Sequence, residues 1–553
     1  MTHPLVSVRD LVIGAVTDSG REVEIIRSVS FDIQPGEIVA LIGESGSGKT
    51  TIALSLMGHC RPGCSIGSGS ISLGDKTVTD LSEPQRAALR GTEVSYVPQS
   101  AAAAFNPSQR IMDQVIEVTD IHNLMPRKEA EEKAVELFRA LALPDPDSIG
   151  QRYPHQVSGG QLQRLSAAMA LIGDPSLVIF DEPTTALDVT TQIEVLRAFR
   201  SVMDHSSMAG VYVSHDLAVV AQIADRIIVL KGGEIQEVGS TRDILENPQH
   251  PYTKELLAAF DPVPFVSARA QDVERRKPIL EVKNLSAGYG AVVKGVPNFK
   301  VLDNINFRME RGTNLGVIGE SGSGKSTLAR AVAGILPRYQ GDVLSDGEEL
   351  RADLKDRTKD QLRRIQIVFQ LADTALNPSQ SVGSILARPL HFYHGLDRKA
   401  RERRVIELLD MVQLPSNMRH RLPGELSGGQ KQRVNFARAL AAEPELILCD
   451  EITSALDTVV AAAMLDLLKE LQRDLGLSYI FISHDLSTVE AICDEVLVMY
   501  KGKLVEALPA ASMSQDAAHP YSRLLISSVP QLDPDWLVNL EHDPEMIRAM
   551  DGR

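Results

Sequence analysis

Cysteine is scarce in this chain of 553 residues: only four occur, too few for a disulfide framework, which points to a reducing compartment. Aromatic side chains make up 4% of the residues, and Trp536 is the sole tryptophan. Basic charge is outweighed, since 57 Lys and Arg stand against 73 Asp and Glu and leave −16. That balance is a poor electrostatic match to nucleic acid or to an anionic lipid surface. No apolar run approaches the roughly 18–20 residues that span a bilayer. The start, MTHPLVSVRDLV, lacks the basic-then-apolar layout of a secretory signal. The expectation is a soluble cytoplasmic protein that reaches a membrane only through a partner.

Apolar residues are plentiful at 43%, and they are arranged in a repeat. The string SGGQ occurs at Ser158 to Gln161 and again at Ser427 to Gln430. A glycine-rich string precedes each copy, GESGSGKT from Gly43 and GESGSGKS from Gly319. An apolar run ending in Asp-Glu follows each, at Asp181-Glu182 and Asp450-Glu451. The SGGQ serine lies 23 residues before that Asp in both halves. A histidine follows the Asp by 34 residues (His215, His484), and a His-Pro-Tyr string follows that histidine by 35 (His250, His519). A repeat this long means two whole domains rather than a solenoid. The boundaries expected are 1–260, a linker over 261–277 rich in Pro, Ala and charge, and 278–553.

The chemistry follows from residue types in that frame. Glu37 to Gly43 and Thr313 to Gly319 are short apolar runs bounded by turn residues, read as buried parallel strands. After each, a glycine-rich loop opens a helical stretch, so backbone N–H groups and a helix N-terminus face a phosphate. The phosphate-binding residues are Gly43, Glu44, Ser45, Gly46, Ser47, Gly48, Lys49, Thr50 and Thr51 in the first half. In the second they are Gly319, Glu320, Ser321, Gly322, Ser323, Gly324, Lys325, Ser326 and Thr327. Lys49 and Lys325 would reach the β- and γ-phosphates, and Thr50 and Ser326 would ligate magnesium. Asp181 and Asp450 would hold the metal through water, while Glu182 and Glu451 would polarise the attacking water. An acidic pair at a strand end also serves as a plain helix cap; the lysine motif in the same half favours catalysis.

Gln99 and Gln370 each end a strand-like run, and their recurrence points to a contact with the metal or the water. His215 and His484 follow GVYVS and YIFIS, placed to meet a γ-phosphate. Ser158 and Ser427 are natural N-caps. Gly159, Gly160, Gly428 and Gly429 beside them are costly in a helix, which a close approach to an anion explains. With Gln161 and Gln430 they complete the anion-facing set. Leu162, Leu165, Met169 and Ile172 mark one buried stripe of the helix that follows.

In these motifs the chain resembles the ATP-binding cassette superfamily, over nearly its whole length and in both halves. The resemblance implies an α/β fold: two tandem P-loop ATPase domains, each a parallel-sheet core with an antiparallel β subdomain and a helical subdomain. Arg127 to Leu143 and Arg398 to Leu414 fit helices of the last. It implies ATP and magnesium as cofactors, and D-loops at Ala186-Leu187-Asp188 and Ala455-Leu456-Asp457. It also implies a head-to-tail intramolecular dimer, with Lys49 and Glu182 facing Ser427 to Gln430, and Lys325 and Glu451 facing Ser158 to Gln161.

The tails NPQHPYTKELLAAFDPVP and AAHPYSRLLISSVPQLDP resemble the C-terminal extension of ATPases that serve peptide, nickel and opine importers. That narrower likeness implies two integral membrane permeases, an extracytoplasmic solute-binding protein behind them, and a place on the cytoplasmic side of the inner membrane. Three departures stand out. Ala15 occupies the register where the second half has Tyr289, a candidate to stack on adenine. Ile452 stands where the first half has Pro183. Neither tail carries the cysteines with which some relatives bind iron–sulfur, and Cys60 and Cys64 have no further partners for a metal. Tandem cassettes also occur in translation factors and DNA-repair proteins. Those need a long charged linker or zinc-finger cysteines that this chain lacks, and no nucleic-acid partner is expected.

Overall fold

Strands buried on both faces must sit in the middle of a layered sheet, and the strands before the glycine loops, Ile38–Gly43 and Asn314–Ile318, are buried at every position. The computed structural model describes residues 3–16, 20, 22–184, 187–204, 207–260, 278–293, 296–454 and 456–540. The expected linker over 261–277 and the D-loop residues Ala186 and Ala455 lie outside the described residues. The chain divides into two units, Met1–Ala258 with Ser528–Glu541, and Ala259–Ser527 with His542–Arg553. The expected second domain ran through to 553. Ser528–Glu541, which follows the second cassette in the chain, groups with the first unit.

In the first unit the strands are β1 Val6–Val16, β2 Glu22–Ile33, β3 Ile38–Gly43, β4 Cys64–Leu73, β5 Lys76–Thr77, β6 Val94–Val97, β7 Leu177–Asp181, β8 Ala209–Val213, β9 Arg226–Lys231 and β10 Glu234–Ser240. An antiparallel sheet has the order β2-β1-β4-β5, and a six-stranded sheet the order β10-β9-β3-β8-β7-β6. Within the latter, β9, β3, β8, β7 and β6 run parallel and β10 is antiparallel to β9. One apolar core joins the two sheets: Leu11, Ile13 and Ile26 pack with Val39, Leu41, Ile52 and Ile179.

The second unit repeats this plan. Its strands are β11 Pro278–Val293, β12 Val296–Glu310, β13 Asn314–Ile318, β14 Arg338–Ser345, β15 Glu348–Glu349, β16 Ile365–Val368, β17 Leu446–Asp450, β18 Ser478–Ile482, β19 Glu495–Tyr500 and β20 Lys503–Pro509. The sheet orders are β12-β11-β14-β15 and β16-β17-β18-β13-β19-β20. Helices expected between the glutamine and SGGQ form over Arg127–Ala140 and Arg398–Met411. In the first of these Ala130, Ala134 and Phe138 are buried one turn apart, the stripe a 3.6-residue period requires. The fold is α/β, with a parallel-sheet core, an antiparallel sheet and helices in each unit.

Candidate functional site

Strand order decides which side chains meet. In the first unit β3, β8, β7 and β6 are neighbours, so their carboxyl ends place the glycine loop, His215, Asp181-Glu182 and Gln99 along one edge, where ligands of open parallel sheets bind. Gly48 takes the left-handed conformation, φ 96°, at the N-cap of the helix Lys49–Leu56, a backbone that glycine reaches without strain. Gly324 does the same at φ 106° before Lys325–Ala333. Lys49 is buried, and its Nζ donates to the carbonyls of Gly43 (2.8 Å) and Glu44 (2.9 Å). Lys325 repeats this with Gly319 (2.7 Å) and Glu320 (2.9 Å).

The carboxylates divide into two kinds of contact. Thr50 Oγ1 donates to Asp181 Oδ1, and Ser326 Oγ to Asp450 Oδ1, each at 2.8 Å. A hydroxyl and a carboxylate converging in this way are hard oxygen donors of the type magnesium takes. Glu182 is held from both sides: Gln99 Nε2 donates to its Oε2 at 2.9 Å, and His215 Nδ1 lies 3.2 Å from its Oε1. In the second unit Gln370 Nε2 donates to Glu451 Oε2 at 2.7 Å, and His484 Nδ1 lies 3.6 Å from that oxygen, an ion-pair separation. Glu182 and Glu451 both adopt positive φ, 47° and 49°, a region that non-glycine residues seldom occupy outside functional or strained sites. The two values agree, so Ile452 in place of a proline leaves the backbone at Glu451 in the geometry of Glu182.

Charge follows the contacts. The Glu451 carboxylate raises the His484 imidazole above its ordinary value against the opposing effect of burial. The same contact with His484 lowers Glu451. Burial disfavours charge on His215, yet the hydrogen bond and charge of Glu182 outweigh it and the imidazole is raised. Asp450 is raised, by burial first and by Glu451 beside it, with Ser326 pulling the other way.

Several side chains differ from expectation or were missed. Tyr96 donates to Asp181 Oδ2 at 2.8 Å, whereas Ile367 holds the matching place in the second unit, so Asp181 has a phenol partner without a counterpart there. Tyr252 and Tyr521, the tyrosines of the two His-Pro-Tyr strings, accept the backbone N–H of Glu44 (3.1 Å) and Glu320 (2.7 Å) inside the glycine loops. Their fixed spacing, 37 residues after His215 and His484 in both halves, was the signal that could have marked them. Thr51 and Thr327 follow their loops on the helices, and Thr327 Oγ1 lies 3.3 Å from the Tyr289 hydroxyl. Tyr289 pairs with Phe299, and Ala15 with Val23, at corresponding steps of their ladders. The alanine therefore occupies the tyrosine's place.

The SGGQ residues open the helices Gly159–Leu171 and Gly428–Leu440 as capping boxes. Gln161 N–H donates to Ser158 Oγ at 3.3 Å, while Gln161 Oε1 accepts the Ser158 N–H at 3.1 Å. Ser427 and Gln430 match both distances. The second glycine of each pair has a packing reason of its own. A Cβ on Gly160 would lie 2.0 Å from Thr191 Cγ2, and one on Gly429 would lie 2.5 Å from Val460 Cγ1. Gly428 meets nothing within 4 Å, and Gly159 only Leu187 at 3.9 Å, so the first glycine of each pair stays open. The expected single stripe is broader than read: Leu162, Leu165 and Ile172 are buried, Met169 is half-buried, and Gln163 to Ala168 are buried as well. Asp188 and Asp457 cap their helices, accepting the N–H of Thr191 (3.0 Å) and Val460 (3.1 Å). Among the described residues no group of His, Cys, Asp and Glu forms a separate metal cluster.

Comparison with known proteins accounts for the repeat. The ABC transporter family model matches residues 26–185 and 302–454. The oligopeptide/dipeptide transporter C-terminal region matches 236–288 and 505–551. The glutathione import ATP-binding protein GsiA of Salmonella choleraesuis (strain SC-B67) is 36% identical over 96% of this chain and 90% of its own. Its namesake in Pectobacterium atrosepticum is 35% identical over 99% and 93%. Among solved structures, CbiO1 of Clostridium perfringens, part of an ABC transporter complex, is 30% identical over 43% of this chain and 92% of that one, with a TM-score of 0.39. No helix among the described residues is long and apolar enough to cross a membrane. The chain belongs to the ABC transporter family, as an ATP-hydrolysing import subunit carrying two cassettes and the oligopeptide/dipeptide transporter C-terminal region.

Proposed function

We propose that the two cassettes, 1–260 and 278–553 joined through 261–277, power uptake of a small peptide through a pair of membrane permeases. The observation that carries this is the paired carboxylates of each unit: one bonded to the loop hydroxyl, the next held between a glutamine and a histidine. Lys49 and Lys325 exchange their loop carbonyls for phosphate oxygens of ATP. Thr50 with Asp181, and Ser326 with Asp450, hold magnesium, with Gln99 and Gln370 beside them. The metal supplies neutralisation of charge on the phosphates. Glu182 and Glu451 orient a water and accept its proton as oxygen attacks the γ-phosphorus and the bond to the bridging oxygen breaks. His215 and His484 face the γ-phosphate. Each ATP is completed by the other cassette's signature, Ser427 to Gln430 or Ser158 to Gln161, and Tyr289 stacks on the adenine of the second site.

ABC importer ATPases act with membrane permeases, and the finer assignment here is two different permease chains fed by an extracytoplasmic solute-binding protein, at the cytoplasmic face of the inner membrane. Their cytoplasmic helices dock near Gln99 to Asn106 and Gln370 to Asn377. In the second unit Asn377 and Gln380 line a cleft with Arg388, Phe392 and Tyr393, and the two segments differ, SAAAAFNPS against LADTALNPS. The names of the relatives make glutathione the first substrate to test. Vesicles holding the chain, its two permeases and the binding protein should import labelled glutathione or a competing short peptide only with ATP inside. ATP turnover that no peptide stimulates, with no uptake, would contradict the proposal.

A further inference from the structure

The end of the described chain returns to the first unit. Gln222, fully buried on the helix Leu217–Ile223, donates through Nε2 to the carbonyls of Gln531 (2.7 Å) and Asp533 (3.0 Å). Its Oε1 accepts the N–H of Leu537 at 2.9 Å. Leu537 is itself buried, 5% exposed. On the neighbouring helix Val189–Asp204, Arg197 donates to the carbonyl of Leu540. Arg242 and Asp535 pair at 3.1 Å. A buried amide is costly unless its hydrogen bonds are made, and here backbone groups of one segment make most of them.

The receiving residues occur once. A constant offset of 269 relates the halves from the SGGQ serine to His-Pro-Tyr, and it puts Asp466, Ala491 and Ala511 where the first half has Arg197, Gln222 and Arg242. An aspartate and two alanines cannot offer the amide and guanidinium groups that meet these carbonyls and the Asp535 carboxylate. The receiving helix begins at Leu217, capped by Asp216, whose side chain accepts the N–H groups of Ala218 and Val219. His215 is the next residue before that cap.

We propose that Ser528–Leu540 is an in-chain strap. The face formed by Val189–Asp204 and Leu217–Ile223 is a docking surface of the first cassette whose occupant is this chain's own C-terminal segment. Docking holds the helix behind His215, and among the described residues no segment holds the helix behind His484 in this way. The strap makes Gln222 a positioning residue for the first ATP site alone. Only this last consequence rests on the functional reading of His215; docking itself needs no nucleotide.

Trp536 lies in the strap and is half-buried, and as the sole tryptophan it reports docking directly. In the full chain, Gln222→Ala with Arg197→Ala should shift Trp536 emission to the red and raise acrylamide quenching to that of a solvent-exposed indole. Gln222→Glu, which keeps the shape but removes the amide donor, should do the same if the alanine variant fails to fold. Hydrogen exchange should quicken over Leu217–Ile223 and stay unchanged over Leu486–Ile492. Ala491→Gln should alter neither signal. Trp536 as quenchable in the wild type as in the variants would overturn the proposal, as would quenching that depends on protein concentration, which would seat a second copy's tail there. Because the fluorescence requires no ATP, a free strap in an active ATPase refutes the strap alone, and a docked strap in a chain without ATP turnover refutes the catalytic reading alone.

Discussion

Glu451 sits between an amide donor and an imidazole, and its hydrogen bond and charge favour the protonated form of His484. Since the folded His484 value lies above the unfolded value of about 6.5, the stability from this contact is fully present below about 6.5 and is lost as pH rises through the folded value. For Glu451 the sign reverses: its share is present above the unfolded carboxyl value of about 4.3 and is lost as pH falls through the lowered folded value. Glu451→Gln should therefore lower the titration midpoint of His484, read by the NMR shifts of its ring protons, because only the charge of Asp485 then opposes the effect of burial. An unchanged midpoint would show that another group holds that proton. Tyr252 and Tyr521 make a second residue-scale case. Removing one hydroxyl deletes a hydrogen bond to the phosphate loop worth about 1 kcal/mol, so Tyr252→Phe with Tyr521→Phe should raise the KM for ATP roughly fivefold with kcat little changed. A fall in kcat at constant KM would place their role in the chemical step instead.

At the scale of elements, the parallel strands and the helices Arg127–Ala140 and Arg398–Met411 were readable because each is written in local periodicity. Strands buried on both faces are continuously apolar, and a half-buried helix shows its stripe. The delivery of Asp181 by a strand end to the glycine loop was readable too, since two halves with identical spacing argue for one geometry, whereas the bonds of Glu182 to Gln99 and His215 were not. What local pattern cannot carry is pairing across long separations with ordinary residues. Nothing near Tyr252 in the chain marks Glu44 as its partner, and nothing near Trp536 marks Gln222. The second glycine of each SGGQ likewise needs room for Thr191 and Val460, residues on the next helix but one strand away in the chain, which no local pattern announces. This separates packing from function. Gly160→Ala and Gly429→Ala force a contact into a packed interface, typically costing about 1–3 kcal/mol, which thermal unfolding would register as a lower midpoint. Gly159→Ala and Gly428→Ala should leave the midpoint nearly unchanged and slow ATP turnover. Equal destabilisation by all four would contradict the division.

For the whole molecule, the repeat predicts two working sites and the departures predict that they are unequal. Tyr289 is 38% exposed, offers a flat face, and has its hydroxyl near Thr327 and Arg330; Ala15 offers no ring. Aromatic stacking contributes about 0.5–1.5 kcal/mol, so the site built on Lys325 should bind ATP up to roughly tenfold more tightly than the one built on Lys49. Tyr289→Ala should erase the difference in a nucleotide titration, and Ala15→Tyr should narrow it; equal affinities untouched by either change would mean that another side chain covers the adenine. Both sites keep a lysine, two carboxylates, a glutamine and a histidine, so both are expected to hydrolyse ATP. The most direct measurement is ATP binding and turnover by the chain carrying Glu182→Gln and Glu451→Gln together. Binding equal to wild type with turnover abolished is the result this account predicts. Turnover near the wild-type rate, or loss of ATP binding, would contradict the assignment of these two carboxylates to the attacking water.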